Sequence, residues 1–148
     1  MEDQNVIGVQ ESKETASGGN RAEVQSLLDR MARSLTAGDG KAVAKMWETP
    51  AFVLGDEMAM TVSSEAELEQ FFSGAKEQYN AKNITDTRAE IVRLDWPTSR
   101  IAIVQVRWPY LDAQGATHGS ETSTYTLRRD DSGRLRLRVA VMHGATPA

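Results

Sequence analysis

The chain has 148 residues, 40% of them hydrophobic and 26% charged, which suits one domain with a real core. Its net charge of −4 argues against a nucleic-acid partner, and it contains no cysteine, so disulfides, thiol nucleophiles and thiolate metal sites are excluded. Two histidines, His118 and His143, are too few for a histidine-rich metal centre; no metal or other cofactor is expected.

No apolar run approaches the roughly 18 residues of a membrane helix. The opening MEDQNVIGVQESKETASGGN is acidic where a signal peptide is basic, so a cytoplasmic, non-membrane protein is expected. Residues 1–19 carry no apolar period and read as a flexible tail before a domain spanning 20–145. Asn20 and Glu23 have the spacing of a capping box. Behind them Val24, Leu27, Leu28, Met31 and Leu35 form one helical stripe that Gly38 ends. Asp39 would cap a second helix burying Val43, Met46 and Trp47, with Pro50 as its stop.

Residues 51–54 and 58–62 flank Gly55–Asp56–Glu57 as a short hairpin. Ser64 and Glu67 form a second capping box, and Leu68, Phe71, Phe72, Ala75 and Tyr79 continue at helical spacing. Strands are then expected at 85–96, 100–111, 117–128 and 134–143. Leu135, Leu137, Val139 and Val141 alternate with arginines. A five-residue turn, Arg129–Gly133, pairs Leu127 with Leu135 and Tyr125 with Leu137. That register sends Glu121, Ser123, Tyr125 and Leu127 inward, together with Ala102, Val104, Val106, Trp108 and Tyr110. Ile101 and Ile103 fall on the outer face, where a homodimer partner would cover them. In "VQVRWPYLDAQG", Trp108 and Tyr110 then rim a pocket while Arg107 serves the outer face.

The order of elements, with "AGDGKAV", "WETPAFVLGD" and the closing "YTLRRDDSGRLRLRVAVMHG", resembles the NTF2-like superfamily in its SnoaL-like or DUF4440-like branches over about residues 20–145. Leu135 departs from it, since many relatives carry tryptophan there. The resemblance implies an α+β cone, three N-terminal helices packed in a strongly curved mixed or antiparallel sheet, often dimeric, with a pocket at the open end. Its members include isomerases, cyclases, dehydratases, epoxide hydrolases and binding domains, so the fold alone decides little about function.

The isomerase-like base position would fall near Asp56, a turn residue whose ordinary role is a solvated hairpin aspartate. An Asp86–Arg88–Asp95 relay is available by residue type, but spacing does not force convergence. By the register above, His143 and Glu121 are inward diagonal neighbours, a carboxylate–imidazole pair suited to general-base work, with Tyr110 or Tyr125 donating to an oxyanion. The expected pocket set is Trp47, Phe52, Met58, Met60, Phe72, Tyr79, Trp108, Tyr110, Ser123 and Tyr125. The arginines 128, 129, 134, 136 and 138 read as a solvated face with cross-strand ion pairs. The leading expectation is binding of a small, largely apolar organic molecule. The alternatives are a metal-independent isomerase, cyclase or dehydratase, and a pocketless dimeric interaction module.

Overall fold

The computed structural model describes residues 11–147, with side chains from Asn20 onward. Its elements run α1 (Glu11–Ala37), α2 (Gly40–Ala44), β1 (Trp47–Gly55), β2 (Met58–Val62), α3 (Glu65–Phe72), α4 (Ala75–Asn80), β3 (Glu90–Asp95), β4 (Ile101–Leu111), β5 (Thr117–Arg129) and β6 (Leu135–Thr146). One sheet carries the strands in the order β2-β1-β6-β5-β4-β3. The β1–β6 pair is parallel and the other pairs are antiparallel, which makes this a mixed α+β sheet. The apolar stripe of α1 (Val24, Leu27, Leu28 and Met31) is buried in one core with Val104, Val106, Leu127 and Leu137 of the sheet. No helix among the described residues is long and apolar enough to cross a membrane.

Several local expectations are corrected. Helix α1 begins at Glu11, ahead of Asn20, so it overlaps the expected tail over 11–19; residues 1–10 lie outside the described residues. Glu23 therefore caps nothing: its carboxylate takes two hydrogen bonds from Arg129, at 2.9 and 3.1 Å. Asp39 does cap α2, accepting from the Ala42 amide at 3.0 Å, but α2 is a single turn. Trp47 opens β1, and Pro50 lies inside that strand with its carbonyl accepting from Arg138. The second capping box forms: Ser64 accepts from the Glu67 amide at 3.2 Å, and the Glu67 carboxylate accepts from the Ser63 amide at 2.9 Å. The expected third helix breaks at Ser73–Gly74 into α3 and α4.

Residues 85–89 precede β3 instead of belonging to it. Thr85 and Asp86 donate their amides to the Leu111 carbonyl at 2.8 and 3.1 Å, and the Thr87 hydroxyl donates to Pro109 O at 2.7 Å. The two long hairpins share one loop design. Asp112 and Asp130 each accept through Oδ1 from amides two and four residues on, with a left-handed glycine, Gly115 or Gly133, closing the turn.

The β5–β6 register differs from the expected one by two residues, pairing Leu127 with Leu137 and Arg129 with Leu135. An even shift leaves the faces of β5 unchanged. Strand β6 also contains irregularities at Arg138 and at His143, each an extra residue opposite β5. The first reverses the alternation. Leu135 and Leu137 are buried, but beyond Arg138 it is Ala140 that is buried while Val139 and Val141 turn outward, against the single apolar face expected.

The outer face carries paired charges. Glu48 binds Arg128 at 2.9 Å and Arg138 at 3.1 Å, Arg136 reaches Asp130 at 3.5 Å, and Arg107 pairs with Glu90.

Candidate functional site

A cavity of about 310 Å³ lies between the inner sheet face and the helices. Met31 and Leu35 of α1, Phe71 and Phe72 of α3 and Tyr79 of α4 form one side; Trp47, Trp108, Tyr110, Glu121, Ser123, Tyr125, Ala140 and Met142 come from the strands. The wall is apolar because α1, α3 and the β4–β6 faces each turn their hydrophobic side to the same space. Trp47 and Phe72 stand with ring centroids 5.9 Å apart, and Trp108 meets Tyr125 edge to face at 6.3 Å.

The polar groups gather on Glu121. Tyr110 donates its hydroxyl to Glu121 Oε1 at 2.8 Å, and Tyr79 donates to the same oxygen at 3.3 Å. Burial first, then the Glu121 charge, push both phenols far above the ordinary tyrosine range. Deeper in, Trp108 donates its indole N–H to the Tyr125 hydroxyl at 3.1 Å. Burial drives the Tyr125 phenol up to about 12, with hydrogen bonds from Ser123 and Trp108 pulling the other way. The buried indole N–H of Trp47 finds no acceptor among the described residues.

Of the pocket residues expected from sequence, Trp47, Phe72, Tyr79, Trp108, Tyr110, Ser123 and Tyr125 line this cavity. Phe52, Met58 and Met60 do not. Phe52 alternates outward between the buried Ala51 and Val53, while Met58 and Met60 sit on the edge strand β2. Asp56 is exposed at the hairpin turn, away from the cavity.

The expected Glu121–His143 pair is not brought together. Because His143 is the extra residue of the second β6 irregularity, its Nε2 lies 2.7 Å from Thr124 Oγ1 on the outer face, whereas Glu121 faces inward. His118 pairs with Asp112 at 2.6 Å on an exposed hairpin arm. Asp86 lines the cavity, but Arg88 binds Glu90 and Asp95 binds Arg93, so the three-residue relay is not assembled. Sequence reasoning missed Met31, Leu35 and Phe71 as lining residues, although all three lie on the apolar stripes it identified. It missed Ala140 and Met142 because an irregularity in β6 leaves no local signature.

A helix-backed, strongly bent mixed sheet holding an apolar cavity defines a cystatin-like cone, and solved structures share it. A domain of unknown function with a cystatin-like fold from Nostoc punctiforme PCC 73102 superposes with a TM-score of 0.68 at 16% identity, covering 85% of this chain and 77% of that one. An NTF-2 like protein of unknown function from Shewanella oneidensis MR-1 gives 0.65 at 13% identity, over 84% and 99%. A ketosteroid isomerase-like protein from Erwinia carotovora atroseptica SCRI1043 gives 0.61 at 13%, over 85% and 96%. The chain belongs to the family of NTF2-like proteins designated DUF6841, whose model matches residues 22–145. A search of curated proteins found no match.

Proposed function

We propose that this NTF2-like domain binds a small, largely apolar organic molecule in the aromatic cavity, in the cytoplasm. The observation that carries the reading is a cavity of about 310 Å³ walled mainly by aromatic and aliphatic side chains, with Tyr79 and Tyr110 gathered on Glu121 in its wall. Isothermal titration with 1-naphthol is expected to show saturable binding, one molecule per chain. Ala140→Phe, which fills the space, is expected to abolish it. Binding that never saturates, or that ignores Ala140→Phe, would refute the reading.

A second reading, proton-transfer catalysis with Glu121 as base, is supported by the position of that carboxylate on the cavity wall. Against it, the two phenols beside that carboxylate already donate to it and hold no second proton for a developing oxyanion. Deuterium exchange next to the carbonyl of 2-tetralone, followed by NMR, separates the two: exchange lost in Glu121→Gln supports catalysis.

We also propose a homodimer through the outer sheet face. Cross-strand pairing lines up Phe52, Val139, Thr126 and Ile103 in one row over four strands, with Ile101 two residues away along β4. Phe52 and Ile103 are each 37% exposed. Such a row is unusual on a solvated face. Sedimentation equilibrium should give a dimer that Ile103→Lys converts to a monomer; a monomeric natural chain refutes this.

A further inference from the structure

The polar end of the cavity is built from acceptors. Tyr79 and Tyr110 direct their hydroxyl protons to one oxygen, Glu121 Oε1. What each phenol then offers a ligand is an oxygen lone pair. Glu121 Oε2 receives no donor among the described residues, which also supply the carboxylate with no basic partner. Asp86, a second carboxylate on the lining, has Oδ1 occupied by the Thr87 amide at 2.8 Å. No lysine, arginine or histidine among the described residues lines the cavity. A carboxylate in a largely apolar wall with no cation beside it is half of an electrostatic pair. Around it stand the rings of Tyr79 and Tyr110, 6.1 Å apart, and of Trp108, surfaces that attract positive charge.

Building on the binding reading above, we propose that the ligand is an organic amine: an apolar ring body ending in a primary or secondary ammonium group that donates to Glu121 Oε2. An ammonium has N–H donors and no acceptor, which complements this end of the cavity. A carboxylate ligand would set like charges together, and a carbonyl would bring no donor to the free lone pairs of Glu121. A neutral alcohol satisfies one acceptor and leaves the Glu121 charge unbalanced. The cavity, at about 310 Å³, has room for a two-ring body against Trp47 and Phe72.

Isothermal titration of the full chain with three probes sharing one body tests this: 1-naphthylmethylamine, 1-naphthalenemethanol and 1-naphthoate at neutral pH. The amine is expected to bind at least about tenfold tighter than the alcohol, with naphthoate weakest, from one charge-assisted hydrogen bond and ring contacts to the cation. In Glu121→Gln the amine and the alcohol should come within about threefold of each other. Equal affinities in the natural chain, or a preference for naphthoate, overturn the amine assignment and leave the binding reading standing. Binding of none of the three overturns both. The series in the natural chain decides even if Glu121→Gln fails to fold.

Discussion

Raising the pH through about 10, where an ordinary phenol loses its proton, should leave every tyrosine of the folded protein protonated. The chain has three tyrosines, Tyr79, Tyr110 and Tyr125, and all three are held above their ordinary value, burial being the first cause in each case. Below about pH 10 both the folded and unfolded chains keep these protons, and nothing is lost. Above it the unfolded chain releases them first, so stability falls as the pH rises. For Tyr125, held to about 12, the loss by pH 12 is about 2 kcal/mol. Tyr79 and Tyr110 add losses of the same sign. Against a typical domain stability of roughly 5–15 kcal/mol, alkaline unfolding is expected in the range from about 11 to 12. Tyrosinate absorbance at 295 nm and far-ultraviolet circular dichroism, recorded on the same samples, should change together in one transition. Absorbance amounting to one tyrosine, rising with a midpoint near 10 while the dichroism stays native, would refute the argument.

Tyr110→Phe removes the shorter of the two bonds to Glu121 Oε1, 2.8 against 3.3 Å, and should cost more than Tyr79→Phe. A double-mutant cycle with Glu121→Ala in urea should return a coupling of about 1 kcal/mol, the partial exposure of Tyr110 keeping it modest; a coupling near zero contradicts the assigned bond. Gly40→Ala would place a Cβ 3.0 Å from the Glu69 carbonyl and 3.2 Å from the Ser73 backbone. Pushing α2 from α3 should cost about 1–3 kcal/mol, and an unchanged urea midpoint would mean the two helices separate freely. Asp130 is held down to about 2, first by the Ser132 side chain and then by the Arg134 amide. Its contribution is present above about pH 4 and lost as the pH falls toward 2. Asp130→Asn should therefore flatten the melting temperature against pH across that interval, and a profile as steep as the natural one would show the turn does not depend on the charge.

What the sequence made legible follows how far each signal reaches along the chain. Ser64–Glu67 and the Asp39 cap are set by neighbours within four residues, and each forms where expected. The inward faces of β4 and β5 were also legible. Alternation has period two, so a two-residue error in register costs nothing in facing. Strand β6 was not legible beyond Leu137, because the extra residue at Arg138 is stabilised by partners from a distant strand, Glu48 and the Pro50 carbonyl. The same distance hid the site's centre. Glu121 could be placed on the inner face, but its partners come from α4 and β4, 42 and 11 residues away in the chain, and His143 was assigned in their place. The start of α1 at Glu11 was missed because residues 11–19 show no apolar stripe to mark a helix.

The irregularity at Arg138 makes β6 serve both sides of the sheet at once, Val139 and Val141 on one and Ala140 and Met142 on the other. Its length is therefore fixed in a way that the length of the hairpin loops is not. Deleting one residue there would exchange the linings of cavity and outer surface in a single event, while an insertion at Gly115 or Gly133, where added atoms meet open space, would disturb neither. Among relatives, changes in chain length should collect at those loop tips and spare residues 137–143.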